Sequence, residues 1–136
     1  MSFAKQANGK LHIVVDHHGL STITIKDKYP LPLMTTLMEQ VGTSQVFFKL
    51  DLKLEFNLLG IAEEDEWKTA FKTPYALYEY TVMSSGLMNA LSVFQRHLNN
   101  ILSQKMNHGE VVYIDDILIY TQTQEEHVEL ITCPYV

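Results

Sequence analysis

The protein has 136 residues, of which 46% are hydrophobic, and a net charge of −6 at pH 7. This length fits one domain with a genuine core, and the hydrophobic content argues against wholesale disorder. No apolar run approaches the roughly 20 residues of a membrane span, and residues 1–10 lack the apolar stretch of a signal peptide. The single cysteine, Cys133, excludes an internal disulfide. Composition therefore predicts an intracellular globular protein with no membrane association.

The charge is unevenly distributed along the chain. Residues 1–50 carry five lysines against three acids, a balance of +2, whereas residues 51–136 carry five bases against thirteen acids, a balance of −8. Affinity for nucleic acid depends largely on cationic side chains that neutralise phosphates. The composition therefore argues against strong unaided binding to nucleic acid.

The first fifty residues alternate between predicted strands and helices. Residues 11–16 read as a strand, followed by a polar turn at 17–19. Residues 29–32 (YPLP) are predicted to be extended, because each proline fixes its own φ and disfavours helix in the preceding residue. A short helix is predicted over 33–41 and a strand with a terminal acid over 46–51.

The remaining residues continue this mixture. The acidic run at 63–66 is predicted to be a solvated turn, and residues 69–73 and 78–83 to be paired strands. A helix follows, because apolar residues recur at 3.6-residue spacing and form one core-facing stripe: Leu87, Leu91, Phe94, Leu98, Ile101 and Leu102. A hairpin over 111–120 and a helix over 124–131 complete the pattern. This order predicts an α+β fold in which an antiparallel sheet packs on helices.

The hairpin carries two adjacent carboxylates, Asp115 and Asp116, between two strand-forming runs. The pattern places both acids at its solvent-exposed tip. Adjacent like charges repel, so a bridging cation stabilises such a tip, and oxygen-only sites favour Mg²⁺ or Mn²⁺. Asp is also a good turn former. The hairpin alone fits both a metal site and an ordinary acidic turn.

A third carboxylate, Asp51, ends a predicted strand. If that strand neighbours the hairpin, the three acids converge at one sheet edge and can hold two divalent ions about 3.5–4 Å apart for in-line phosphoryl transfer. The histidines lack a recurrent metal spacing and are expected to be surface or structural residues.

Eight ordered blocks resemble the fingers-and-palm core of reverse transcriptases from gypsy-type LTR retrotransposons. They are VVD at 14–16, YPLP at 29–32, FKLDL at 48–52, EWKTAFKT at 66–73, YEY with VM at 78–83, GL with NA at 86–90, FQR at 94–96, and VYIDDILIY with EEH within 112–127. The resemblance covers about residues 9–131. It leaves residues 1–8 as an N-terminal tail and 132–136 as a divergent C-terminal tail.

The resemblance implies a fingers/palm-like sheet and RNA-directed DNA polymerase ancestry, with dNTPs and an RNA or DNA template–primer as partners. It assigns Asp51, Asp115 and Asp116 as the catalytic carboxylates for two Mg²⁺ or Mn²⁺ ions, with the Leu52 backbone as a further ligand. Phe56 falls on the aromatic steric gate that excludes a 2′-hydroxyl. The remaining nucleotide-binding positions are Leu52, Gly86, His12 and Ser85.

Several residues depart from the family pattern around the expected nucleotide pocket. His12 stands where the family has an arginine that grips the triphosphate, and a neutral histidine lacks the bidentate fork of arginine. Leu54 and Glu55 replace small or polar residues, and Ser84-Ser85 replaces a more usual Pro-containing motif before Gly86. The family also continues into a thumb and a ribonuclease H region, so the chain is expected to be a truncated copy without a thumb.

Three functions are compatible with these features. The chain is a working reverse transcriptase module, a retroelement-derived remnant with weak or no polymerase activity, or a domesticated binding or adaptor protein. The adaptor would use the exposed sheet or the face left by the missing thumb to bind a protein partner. The departures and the acidic charge favour the second function.

Overall fold

The computed structural model of the protein describes residues 2–5, 9, 11–53, 55–103 and 108–132. The chain divides into two compact units, each built from two stretches of sequence. Unit 1 comprises Met1–Asp27 and Phe56–Leu91, and unit 2 comprises Lys28–Glu55 and Ser92–Val136. Among the described helices, none has both the length and the apolar character that a membrane crossing requires.

The helices and strands follow in a mixed order, as expected for an α+β chain. They are β1 (Ser2–Lys5), β2 (Leu11–Val14), α1 (His18–Ile23), α2 (Met34–Val41), β3 (Val46–Asp51), β4 (Phe71–Lys72), β5 (Leu77–Tyr78), α3 (Ala90–Ile101), β6 (Glu110–Tyr113), β7 (Asp116–Thr121) and α4 (Gln124–Thr132). Short 3₁₀ turns occupy Glu55–Leu58 and Glu66–Thr69.

Unit 2 is organised around a three-stranded antiparallel sheet in the order β3-β7-β6. Side chains along a strand alternate between the two faces of a sheet. Val112, Ile117 and Ile119 are at most 6% exposed and form the buried face. Residues that alternate with these along each strand point to the other face of the sheet. That face carries Asp51 of β3 and Asp116 of β7, which are paired in the strand register.

Helices α3 and α4 supply the rest of the core of unit 2. Phe94, Leu98 and Leu102 of the α3 segment are all less than 10% exposed, as the apolar stripe predicted. The prediction is wrong for Ile101, which is 57% exposed, and Leu87 precedes the helix. Helix α4 packs against β7, and its buried His127 places Nδ1 3.0 Å from Thr121 Oγ1. Helix α4 therefore covers the apolar face of the sheet, while Asp51 on the opposite face is exposed.

Unit 1 contains two short antiparallel pairs, β1 with β2 and β4 with β5. The rings of Phe71 and Tyr78 lie opposite each other with centroids 6.0 Å apart. Met83 and Ala90 are its buried apolar residues within the described part of the chain. Unit 1 thus has a much smaller core than unit 2.

Several predicted elements are confirmed. The strand over 46–51 has the predicted bounds as β3. The helix predicted over 33–41 begins one residue later as α2 and ends before Gly42, and the helix predicted over 124–131 is α4. The acidic run at 63–66 forms a turn in which Glu63 and Glu64 are exposed.

The polar turn predicted at 17–19 is wrong, because helix α1 begins at His18. Asp16 Oδ1 accepts a hydrogen bond from the His18 N–H at 2.9 Å, and the Thr22 hydroxyl donates to the Gly19 carbonyl at 2.7 Å. Gly19 and the β-branched residues that follow have low helix propensity. These local hydrogen bonds outweigh that propensity, which a reading of the sequence alone does not reveal.

The strands predicted over 69–73 and 78–83 pair over only two residues each, in β4 and β5. Residues 81–83 instead bond to residues 59–61: the Ile61 N–H donates to Thr81 O at 2.9 Å, and the Met83 N–H donates to Leu59 O at 2.8 Å. The predicted N-terminal tail also contains strand β1. Residues 133–136 of the predicted C-terminal tail, including Cys133, lie outside the described residues.

Truncation of Ile119 to alanine should destabilise the protein by about 2–5 kcal/mol, because it leaves a cavity on the buried face of the central strand. Ile119 is 1% exposed. Urea unfolding measures the change. Ile25→Ala removes the same atoms from a side chain that is 90% exposed, and it should alter stability by less than about 0.5 kcal/mol. Equal losses in the two variants would contradict the assigned core.

Candidate metal centre

Three carboxylates converge at one edge of the unit 2 sheet. Asp51 is the last residue of β3 and lies opposite Asp116, the first residue of β7, while Asp115 lies in the turn before β7. One carboxylate oxygen from each residue fits within a span of 4.8 Å. The structure therefore brings together the three acids that the sequence singled out.

The hairpin turn differs in one respect from the prediction that both acids lie at its tip. Tyr113 pairs with Asp116, so Ile114 and Asp115 form the turn and Asp116 already belongs to β7. Ile114 adopts a φ of 58°. A positive φ in a β-branched residue is uncommon and costs on the order of 1–3 kcal/mol, which the surrounding structure must offset.

The chain after β3 also contacts the turn. The Leu52 N–H donates a hydrogen bond to the Asp115 carbonyl at 3.0 Å. This bond fixes Leu52, the residue after Asp51, beside the turn that contains Asp115. The predicted role of the Leu52 backbone as a metal ligand stays a prediction.

A lysine counterbalances the carboxylates. Lys49 Nζ lies 2.9 Å from Asp116 Oδ1, and Lys49 precedes Asp51 by two residues on the same face of β3. The hydrogen bond to Asp116 raises the pKa of Lys49 above its ordinary value, and the charges of all three acids add to this effect. The negative field of the cluster therefore already attracts a cation.

Two residues of this region were not identified as functional from the sequence, although the sequence contains a signal for each. Lys49 alternates with Asp51 along a strand, which places both side chains on one face. Gln95 is a polar residue on the apolar stripe of α3, where it is 0% exposed. Its Oε1 accepts a hydrogen bond from the Ile114 N–H at 2.7 Å.

The predicted nucleotide-binding residues apart from Leu52 belong to unit 1 rather than to unit 2. Phe56 is half-buried in a 3₁₀ turn, and Ser85 and Gly86 lie in an exposed turn. His12 is in β2, and its side chain is outside what the structure describes, as are Leu54 and the Glu55 side chain. The roles of these residues toward a nucleotide stay predictions.

Gly86 has a structural role in unit 1. A Cβ at this position would lie 3.0 Å from His17 Cδ2 and 3.5 Å from the Val15 carbonyl oxygen. The His17 ring is buried and contacts Tyr80 edge-on, with Nε2 3.3 Å from Ser84 Oγ. The missing side chain of Gly86 therefore leaves room for the imidazole.

Two-metal phosphoryl-transfer sites also hold hard divalent ions with clustered carboxylates. The donor set fits Mg²⁺ or Mn²⁺ because it consists of carboxylate oxygens close enough to share an ion, and because an ammonium group is already drawn to it. Among the described residues, Asp51, Asp115 and Asp116 form the one group of at least three Asp, Glu, His or Cys side chains whose possible ligand atoms all lie within 4.8 Å of one another.

Comparison with known proteins identifies the class more closely. Residues 4–133 match the family described as reverse transcriptase (RNA-dependent DNA polymerase). The chain is 41% identical over 122 residues to the retrovirus-related Pol polyprotein from transposon 297 of Drosophila melanogaster, covering 90% of this chain and 12% of that polyprotein. It is 38% identical over 122 residues to an RNA-directed DNA polymerase homolog of Oenothera berteroana, covering 88% of this chain and 86% of that protein.

The fold comparison agrees. The foamy viral protease-reverse transcriptase in complex with double-stranded DNA matches with a TM-score of 0.86 and 21% identity, over 95% of this chain and 22% of that one. The chain therefore belongs to the reverse transcriptase family and corresponds to a fingers/palm-like core of retroelement origin, which confirms the resemblance seen in the sequence. It spans about a tenth of the length of the transposon polyprotein.

The burial of His17 predicts a pH dependence of stability. Desolvation lowers the pKa of His17 below its ordinary 6.5, although Asp16 opposes the shift. As the pH falls below about 6.5, the unfolded chain takes up a proton that the folded protein does not, so the free energy of unfolding decreases. Urea unfolding between pH 7 and 5.5 should show a smaller loss for His17→Gln than for the wild type. The exposed His18→Gln variant should lose as much as the wild type; identical losses in all three proteins would contradict the prediction.

The contact between Lys49 and Asp116 predicts competition with metal. We expect Mn²⁺ to bind the Lys49→Met variant severalfold more tightly than the wild type. In the variant, the ion neither competes with an ammonium group for Asp116 nor is repelled by its charge. Water-proton relaxation during a Mn²⁺ titration at low ionic strength measures the affinity. Lys72→Met removes the same charge from unit 1 and should bind like the wild type. Unchanged or weaker binding by Lys49→Met would contradict competition.

Proposed function

We propose that this chain is the metal-binding core of an RNA-directed DNA polymerase. The convergence of Asp51, Asp115 and Asp116 within 4.8 Å at one sheet edge carries the proposal. Family membership supports it, because the chain matches the reverse transcriptase family over residues 4–133. The polymerase belongs to a larger retroelement protein in the transposon relative, of which the chain spans 12%.

In this proposal the three carboxylates hold two Mg²⁺ or Mn²⁺ ions. When bound, divalent ions stabilise the charge that develops during in-line attack of a 3′-hydroxyl on a nucleoside triphosphate. Asp116 and Asp51 are held opposite each other by the β3–β7 register, and the Leu52 N–H holds Asp115 at its carbonyl. Lys49 neutralises Asp116 until a metal ion takes its place.

The nucleotide contacts of unit 1 belong to the same proposal. Phe56 packs under the sugar and excludes a 2′-hydroxyl, and Gly86 and Ser85 line the nucleotide site. By resemblance, His12 occupies the position of a more strongly cationic residue that binds the triphosphate. A neutral histidine contributes less to triphosphate binding than an arginine fork, so dNTP affinity is low.

The proposed nucleic-acid partner is an RNA or DNA template–primer. The foamy viral relative of the fold was solved with double-stranded DNA. The charge of −6 provides little attraction for phosphates, so this chain by itself binds a template–primer weakly and extends primers slowly. Mn²⁺ and low ionic strength favour detection of that activity.

Removal of the Asp115 carboxylate tests whether the three acids form a metal centre or only an acidic turn. We expect Asp115→Asn to weaken Mn²⁺ binding by about tenfold or more, because affinity depends on the number of charged ligands. The same substitution should abolish any extension of a primed RNA template by dNTPs and Mn²⁺. Titration of Mn²⁺ followed by water-proton relaxation, and a gel assay of primer extension, measure the two effects.

The control is Glu64→Gln, which removes one negative charge from an exposed position in the acidic run. It should leave Mn²⁺ affinity and extension at the wild-type level. Wild-type protein that binds no Mn²⁺, or Asp115→Asn protein that binds it normally, would contradict the metal centre. Normal Mn²⁺ binding without extension at any protein concentration would contradict polymerase activity of this chain.

The exposed apolar side chains of unit 1 favour a second candidate, a binding or adaptor protein that reuses the fold. Large apolar residues that are exposed in this unit outnumber the buried ones. Exposed apolar surface of this kind marks a partner site or an aggregation hazard. Size-exclusion chromatography of the pure chain tests the need for a partner. A stable monomer at high concentration argues against an obligate protein partner.

A further inference from the structure

Gln95 is a fully buried polar residue that bonds to the hairpin and not to solvent. Its Oε1 accepts a hydrogen bond from the Ile114 N–H at 2.7 Å. Its Nε2 donates to the Val112 carbonyl at 3.3 Å and to Asn99 Oδ1 at 2.9 Å. A buried amide without such partners would be costly. The Gln95 side chain and the backbone of the hairpin at Val112 and Ile114 therefore hold each other in place.

The shortest of these bonds reaches the one described residue other than glycine with a positive φ. Ile114 is β-branched, so its φ of 58° persists only where the surroundings over-determine it. If the bond from its N–H were lost, Ile114 would relax toward a negative φ. That relaxation rotates the peptide between Ile114 and Asp115 and moves the Asp115 carboxylate away from its neighbours.

The orientation of the Gln95 amide is itself fixed by a chain of contacts within unit 2. Asn99 accepts from Gln95, and its own Nδ2 donates to the Tyr29 hydroxyl at 2.8 Å. The Arg96 guanidinium lies 4.9 Å from the centre of the Tyr29 ring. The extended segment that contains Tyr29 thus supports the amide through Asn99.

We infer that Gln95 is a positioning residue for the metal centre. Through the Ile114 N–H it holds the turn in the conformation that brings Asp115 and Asp116 together with Asp51. The inference rests on the proposed function, because it concerns the binding of divalent ions by these carboxylates. Residues that orient metal ligands without touching the ion commonly change metal affinity 10- to 100-fold when they are replaced.

The first measurement is Mn²⁺ affinity by water-proton relaxation. We expect Gln95→Leu to bind Mn²⁺ about tenfold more weakly than the wild type, or worse. Leu98→Val is the matched control, because Leu98 is buried one turn along the same helix. It should lower the urea midpoint but leave Mn²⁺ affinity unchanged.

The second measurement is rescue. Glycine adopts a positive φ without steric cost, so adding Ile114→Gly to Gln95→Leu should restore a large part of the lost affinity. A role of Gln95 in core packing alone predicts no such rescue. If Gln95→Leu does not fold, the same measurements are made on Gln95→Asn. Asparagine keeps a polar amide at this position, but its side chain is one methylene too short to reach the Ile114 N–H.

The third measurement requires no metal. In protein labelled with ¹⁵N-isoleucine, a positive φ brings the Ile114 amide and Hα protons close and gives a strong intraresidue NOE. We expect this signal in the wild type and its loss in the Gln95 variant. Retained Mn²⁺ affinity, a retained NOE, or failure of Ile114→Gly to rescue would overturn the inference. Wild-type protein that binds no Mn²⁺ would overturn the proposed function instead, and the NOE would still report on Gln95.

Discussion

The antiparallel register between β3 and β7 is the constraint on which the metal centre depends. It places Asp51 directly opposite Asp116, at a distance where like charges on neighbouring strands are destabilising. A shift of one residue would turn one of these carboxylates toward the apolar face. The register is held by the burial of Ile117 and Ile119 on that face, so the core of unit 2 supplies the energy that keeps the two acids together.

The cluster of carboxylates is balanced locally by Lys49. An exposed ion pair of this kind contributes little to global stability, but it lowers the charge at the sheet edge where a cation binds. In the proposed function, the same contact makes metal binding an exchange, in which an ion replaces an ammonium group. The strained turn adds a second cost, which the bonds of Ile114 and Asp115 to Gln95 and Leu52 offset.

The two units divide the expected reverse transcriptase functions between them. The proposed metal ligands lie in unit 2, which contains most of the buried apolar residues, whereas the proposed nucleotide-binding positions other than Leu52 lie in unit 1. The departures from the family pattern, such as His12 and Glu55, fall in sequence at or next to the expected nucleotide-binding positions. The geometry of the three carboxylates is set instead by the β3–β7 register and by the bond from α3 to the hairpin turn.

Periodicity and local chemistry were sufficient to predict much of the fold from the sequence. The strand over 46–51, the 3.6-residue stripe of α3 and the hairpin around Asp115 and Asp116 follow from side-chain patterns that need no tertiary information. The ordered motifs identified the family and the three carboxylates for the same reason, since each motif is local. Helix α1 was missed because local hydrogen bonds outweigh the low helix propensity of its residues. The strands β4 and β5 are shorter than predicted because residues 81–83 bond to residues 59–61 instead.

Only the tertiary structure decided how these parts act together. The pairing of Asp51 with Asp116 and the contact of Lys49 with Asp116 depend on the register of two strands that are far apart in sequence. The positive φ of Ile114 depends on a tight turn that is held by a residue of α3. The partners of Gln95 and His17 depend on which buried surfaces meet. Sequence determines what chemistry each residue offers, whereas packing determines which residues share a site, because distances and burial exist only in the folded chain.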